Sequence, residues 1–196
     1  MSESEMTGNL FLYTNAAATA PAAESVKPEA RLIERVTTGD EEAFGELYKM
    51  FAPMVHGIVL ARVPRDEVQD IVQEVFLSAY RNLHTLRDKN ATGAWLATIA
   101  RNRAVEFYSQ LKPTVELSED LRDKNDSNAE AREILKIIRT LPETYRETLV
   151  LRLVEGMTGQ EIAERCGLTP ESVRVNLHRG MKILREKLGI AQGVKK

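Results

Sequence analysis

The side chains best suited to chemistry lie between Thr169 and Lys187, and that chemistry is hydrogen bonding to nucleic acid. Residues 171–187 carry five Lys or Arg (Arg174, Arg179, Lys182, Arg185 and Lys187) against two Glu. Arg174, His178 and Lys182 fall on one helical face. Val173, Leu177, Met181, Leu184 and Leu188 recur at steps of four or three, which predicts a separate buried stripe. Asn176 adds a group that pairs well with adenine, where an Arg favours guanine. Thr169 is a predicted N-cap, and Pro170 fits the first helical position, where no backbone N–H is needed. The capped end leaves N–H groups free for phosphates or base edges, with Glu171, Ser172 and Val175 in the same first turns.

Other chemistry finds little support. No glycine-rich phosphate loop is present, and His56, His84 and His178 stand far apart with no metal-ligand spacing to one another or to a cysteine. Cys166 is the single cysteine, which excludes an internal disulfide framework; its setting predicts a buried packing residue rather than a nucleophile. Asp70 and Glu74 form a carboxylate pair, but a solvated helix face explains them as well as acid–base work does. The chain is therefore read as a non-enzyme with no cofactor, no metal and no small-molecule substrate.

The basic helix needs a partner to position it. Thr158 with Glu161 three residues on makes a predicted capping box for a preceding short helix, whose apolar face is Ile162, Ala163 and Cys166. Gly167 suits the turn between the two, because glycine reaches positive φ without strain. Thr158–Leu188 thus has the layout of a helix-turn-helix whose second helix enters a DNA major groove. One such unit reads only a few base pairs, so a second module is expected. A polar loop, Arg87 to Gly93, offers Arg87, Lys89 and Asn90 beside Trp95, a combination that suits unpaired bases. Trp95 fits a core residue anchoring the following helix equally well, and the two roles can coexist. Arg101 and Arg103, flanking Asn102, suit backbone phosphates, with plain surface solubility as the alternative.

These elements fall into an all-α fold: two small helical domains joined by a flexible linker, the C-terminal one containing the helix-turn-helix. Residues 1–28 are expected to be a poorly ordered tail, with Leu10, Phe11, Leu12 and Tyr13 as an apolar exception. Residues 29–111 form the first domain. Asp40 is a plausible N-cap there, and Val68, Ile71, Val72, Val75, Phe76, Ala79 and Leu83 line one face of a helix. Asp70, Gln73, Glu74 and Leu77, at i, i+3, i+4 and i+7, share its exposed side. Residues 112–129 read as an acidic linker and 130–196 as the second domain. The formal net charge is −2, so nucleic-acid contact must come from local patches. No apolar run approaches the ~20 residues that span a bilayer, and no signal peptide is evident. A cytoplasmic protein without membrane insertion is expected.

The arrangement resembles the extracytoplasmic-function sigma factors of bacterial RNA polymerase. The resemblance rests on GDEEAFGELYKMF at 39–51, DIVQEVFLSAYRNL at 70–83, WLATIARNRAVEFY at 95–108 and the long motif LPETYRETLVLRLVEGMTGQEIAERCGLTPESVRVNLHRGMKILREKL at 141–188. It implies a promoter-specificity subunit that binds core polymerase (β′ and β subunits) and promoter DNA, commonly under an anti-sigma factor. By the same resemblance the DxxQE face (Asp70, Gln73, Glu74) would meet polymerase. The loop Arg87–Gly93 would capture a minus-ten base, and the helix from Thr169 to Lys182 would read the minus-thirty-five element. Two departures fall in that helix: Asn176 where Arg is usual, and Gly180 where Ala is usual, the latter costing ~1 kcal/mol of helix propensity. A third is Glu106 through Lys112, in place of an Asp and an Arg-rich run. Two other readings stay open at this level: a helix-turn-helix regulator acting without polymerase, and a helical adaptor or decoy that binds partners but not promoter DNA.

Overall fold

The structure is a computed structural model that describes residues 27–110 and 129–190. All but the last two residues of the expected tail, and nearly all of the expected linker, lie outside the described residues; Pro28 instead opens the first helix. Among the described residues all regular structure is helical. Four helices make the N-terminal half: α1 (Pro28–Thr37), α2 (Glu41–Leu60), α3 (Val68–Asn82) and α4 (Thr92–Gln110). Four make the C-terminal half: α5 (Ala129–Arg139), α6 (Glu143–Leu153), α7 (Gly159–Cys166) and α8 (Pro170–Lys187). Short 3-10 turns at Arg65–Glu67, Leu83–Thr85 and Lys89–Ala91 adjust the chain direction between helices.

Local chemistry sets the helix ends. Asp40 caps α2 by accepting from the Ala43 N–H, and its carboxyl is held below the ordinary range by that bond and by Arg35. Thr158 and Glu161 form the reciprocal capping box of α7. Thr169 accepts from the Ser172 N–H at the start of α8, with Pro170 at the first position. Gly167 ends α7 at φ +68°, where a β-carbon would be strained.

Apolar side chains from both halves form one continuous core. Leu47, Met54, Val55, Ile58 and Leu96 fill it on one side, and Leu149, Leu151 and Ile162 on the other; all are essentially inaccessible. Each such burial favours the folded state by about 1.5–3 kcal/mol. Where the sequence suggests two domains on a tether, the structure packs α2 against α6 and α7, and α4 against α7. The approach is close because glycines face it. A β-carbon on Gly57 would lie 2.7 Å from Leu151 Cδ2, and one on Gly93 would lie 2.4 Å from the Arg165 carbonyl. One on Gly167 would meet the Ala94 β-carbon at 2.7 Å.

The buried stripe of α8 differs from the expected one. Val173, Asn176, Gly180 and Leu184 are buried, whereas Leu177, Met181 and Leu188 are only half-buried. The stripe advances by three, four and four residues, so the helix is rotated by about a sixth of a turn from the expected facing. Gly180 then lies under α6, where a β-carbon would sit 3.1 Å from both Tyr145 Cβ and Leu149 Cδ1. Its absence of side chain is a packing requirement rather than a lapse in helix propensity. Gly180→Val tests this. Helix propensity alone predicts a slight gain, since glycine is the poorer helix former. Overpacking against α6 predicts a loss of about 1–3 kcal/mol, read as a lower urea midpoint.

Candidate functional site

Three surfaces carry the residues singled out above. On α3, Asp70, Gln73 and Glu74 are exposed, and Leu77 is exposed at 48 %. Their placement follows from the pitch: Ile71, Val72, Val75, Phe76 and Ala79 turn inward, leaving the 70-73-74-77 row outside. Beside this row lies a shallow groove lined by Phe44, Tyr48, Gln69, Phe76 and Leu77. Its aromatic floor is held by the Tyr48–Phe76 contact, with ring centroids 4.5 Å apart, and by the edge contact of Phe44 on Tyr80. An apolar groove rimmed by acid and amide groups suits a basic amphipathic helix.

On α8, Thr169, Pro170, Glu171, Ser172, Arg174, His178, Arg179 and Lys182 are exposed, and Val175 is half-exposed. Arg174 is 3.9 Å from Glu171, both far out in solvent, so the pair constrains neither side chain. α8 packs on α5, α6 and α7, which leaves its basic side uncovered. Asn176 does not belong to this set. It is 9 % exposed and lies on the inward Val173–Gly180 stripe, not on the exposed basic face. The expectation that it reads a base is corrected by the helix rotation described above.

The third set is spread over the loop and α4. Arg87 is exposed. Asp88 orders the loop by accepting from the Asn90 N–H. Lys89 donates to Glu34 at 3.0 Å, and Asn90 accepts from the Lys27 backbone and ammonium groups; these bonds pin the loop to α1. Trp95 is half-buried against the core, Asn102 is exposed, and Arg103 pairs with Glu106 at 2.8 Å. The expected phosphate-binding Arg101 is occupied. Its Nη2 donates to Glu147 Oε1 at 2.7 Å and its Nε to Oε2 at 3.1 Å, a two-point clasp of a carboxylate.

Glu147, which no local sequence pattern marks, is a nearly enclosed charged group at this site. It is a side chain of α6, 6 % exposed, held by Arg101 of α4 and by Arg62, which follows α2. Arg62 also donates to Glu143 and to the Ile58 carbonyl. Burial alone would raise the Glu147 carboxyl, but the Arg101 hydrogen bonds and the Arg62 and Arg101 charges outweigh it and hold it below its ordinary range. Further bonds join the halves. Arg139 donates to the Leu60 and Val63 carbonyls at 3.1 and 2.6 Å, closing the C-terminus of α2. Arg165 donates to the Met50 carbonyl at 2.9 Å, and His56 Nδ1 meets Glu155 Oε1 at 2.6 Å. These partners are 76–115 residues apart, so no local pattern announces them.

Among the described residues no three His, Cys, Asp or Glu side chains are grouped to hold a metal ion, and no described helix is long and apolar enough to cross a membrane. Cys166 is buried, and its thiol is pushed up to about 12, chiefly by burial and then by the Glu147 charge, so it stays protonated and unreactive at neutral pH.

Comparison with known proteins gives a consistent result. The family model described as sigma-70 region 2 matches residues 47–114, and that described as sigma-70, region 4 matches residues 131–184. The chain is 31 % identical over 185 residues to the ECF RNA polymerase sigma-E factor of Haemophilus influenzae, covering 85 % of this chain and 97 % of that one. It is 33 % identical over 168 residues to the RNA polymerase sigma factor CarQ of Myxococcus xanthus, covering 80 % and 95 %. In fold it is similar to CnrH, solved in complex with the cytosolic domain of CnrY, with a TM-score of 0.60 at 22 % identity over 84 % of this chain and 99 % of that one.

The Glu147 carboxylate has a measurable signature. Its folded-state value lies below its unfolded one, so its contribution is full above the ordinary carboxyl range and fades as pH falls through the depressed value. Urea midpoints of the wild type should therefore drop on acidification below about pH 4.5. In Glu147→Gln the neutral-pH midpoint should be lower, because two guanidiniums lose their shared partner, and its decline with acid should be shallower. Parallel profiles for the two proteins would contradict the pairing.

Proposed function

The chain belongs to the extracytoplasmic-function sigma factors, and we propose that its α3 face docks core RNA polymerase while α4 and α8 read the two elements of a promoter. Membership of this family sets aside the reading as a regulator independent of polymerase, and the chemistry of RNA synthesis belongs to the polymerase. The observation that carries the docking assignment is the isolation of the Asp70-Gln73-Glu74-Leu77 row. It is an exposed acidic stripe beside an aromatic groove, with no structural work of its own among the described residues. The partner it fits is a basic, amphipathic helical element of the β′ subunit.

The minus-thirty-five element would be met by the outward face of α8. The helix N-terminus and Ser172 would position it on phosphates, and Arg174, His178, Arg179 and Lys182 would supply base-edge and backbone contacts. The minus-ten element would be met by the Arg87–Gly93 loop and Trp95, with Arg101, Asn102 and Arg103 on the strand's backbone. A protein inhibitor of the anti-sigma kind is part of this proposal, as membership of the family implies.

Run-off transcription with core polymerase tests the assignment. Glu74→Lys reverses charge on the docking row while leaving the inward face of α3 intact. It should lower affinity for core polymerase by about tenfold or more, some 1.4 kcal/mol, and abolish promoter-dependent product at limiting protein. Arg179→Ala should leave core binding unchanged and weaken initiation only. Wild-type affinity and product in Glu74→Lys would show that polymerase docks elsewhere.

A further inference from the structure

We infer that Glu171 and Val175 set the base preference of α8: Val175 packs on a thymine methyl, Glu171 accepts from the exocyclic amine of a nearby cytosine, and the surrounding cations hold the backbone. The inference deepens the reading of α8 as the helix for the minus-thirty-five element and rests on it.

The facing of the helix selects these two residues. The buried row Val173, Asn176, Gly180 and Leu184 fixes which side of α8 is turned to the core. Successive residues of an α-helix are set about 100° apart. The side opposite that row is therefore centred on Glu171, Val175, His178 and Lys182. Arg174 and Arg179 lie about 70° to either side of this crest. On its own flank Arg174 lines a shallow groove against α7, together with Gly159, Ala163 and Leu177. A helix laid crest-first in a major groove brings its flanks to the two bordering strands, so both arginines are set for phosphates. Base edges are met by crest residues of the N-terminal turns, and the first of these are Glu171 and Val175.

Their chemistry then narrows the bases. Val175 is a half-exposed apolar side chain among the exposed polar groups of Glu171, Ser172, His178 and Arg179. It has nothing to donate or accept, and the apolar feature of a major-groove edge is the thymine methyl. Glu171 has 76 % of its side chain exposed, and its pairing with Arg174 is long, at 3.9 Å. It does not cap the helix, because Thr169 already accepts from the Ser172 N–H at 3.1 Å. A carboxylate only accepts, so the N7 and O6 acceptors of guanine repel it, whereas the cytosine amine donates to it. Glu171 thus acts as much by excluding guanine as by holding cytosine. The two residues are four apart, about 6 Å along the axis, which corresponds to about two base steps.

The test uses the full-length chain with core polymerase and a promoter library randomised through the minus-thirty-five region, with bound complexes recovered and sequenced. Wild type should enrich a thymine and a cytosine, on either strand, no more than about two steps apart. Replacing that thymine by deoxyuridine removes only the methyl. It should weaken wild-type binding about three- to fivefold and change Val175→Ala binding by less than about twofold. Adenine in place of the cytosine should cost wild type about tenfold, whereas Glu171→Gln, whose amide both donates and accepts, should bind the two about equally. Equal wild-type binding of thymine and deoxyuridine overturns the methyl contact, and that measurement needs no variant. A Glu171→Gln chain that keeps the wild-type preference overturns the cytosine contact and leaves Glu171 as a charge at a helix start. A wild-type library with no enrichment in this region overturns the assignment of α8 itself, and this inference with it. Enrichment that wild type and both variants share overturns this inference alone.

Discussion

The arrangement turns on one carboxylate, Glu147, enclosed between two guanidiniums that come from the other half of the chain. Removing a charged carboxyl from water costs several kcal/mol unless partners replace the lost hydration. Arg62 and Arg101 supply that replacement, which ties α6 to the end of α2 and the middle of α4. Once those elements are in register, Gly57, Gly93 and Gly167 allow the backbones to close the remaining distance, and the apolar faces of both halves merge into one core. A pair of this kind adds less net stability than its hydrogen bonds suggest. It does penalise every other arrangement, because any sliding of one half on the other leaves a buried charge unmatched.

Much of the fold is legible in the sequence where the signal is local. The capping box at Thr158–Glu161, the turn glycine Gly167 and the Thr169–Pro170 start of α8 each depend on residues within one helical turn. The exposed row on α3 follows from the pitch of a single helix. The facing of α8 is harder. Its apolar residues at 177, 181 and 188 compete with a stripe running through Asn176 and Gly180, and only the position of Tyr145 and Leu149 on α6 decides between them. A polar residue and a glycine in a buried row defeat any rule that equates burial with hydrophobicity. The junction between the halves is harder still, since Arg62, Arg101, Arg139 and Glu147 look like ordinary surface charges until residues distant in sequence are brought beside them.

The three candidate surfaces differ in availability, and that difference bears on how a two-region sigma factor would work. The acidic row on α3 and the basic face of α8 are open. The start of α4 is packed against the end of α7, and Arg101 is engaged by Glu147. Separating the halves would break a set of charge-assisted bonds and expose the apolar core they share.

The most direct measurement of that account is a distance between the halves, taken by electron spin resonance on paired labels at Glu41 and Lys187. Both are exposed, and the buried, protonated Cys166 would not compete for label. The account predicts one narrow distance population for the free chain, replaced by a different one in the open complex with core polymerase and promoter. A broad distribution in the free chain, or the same distance in both states, would contradict it.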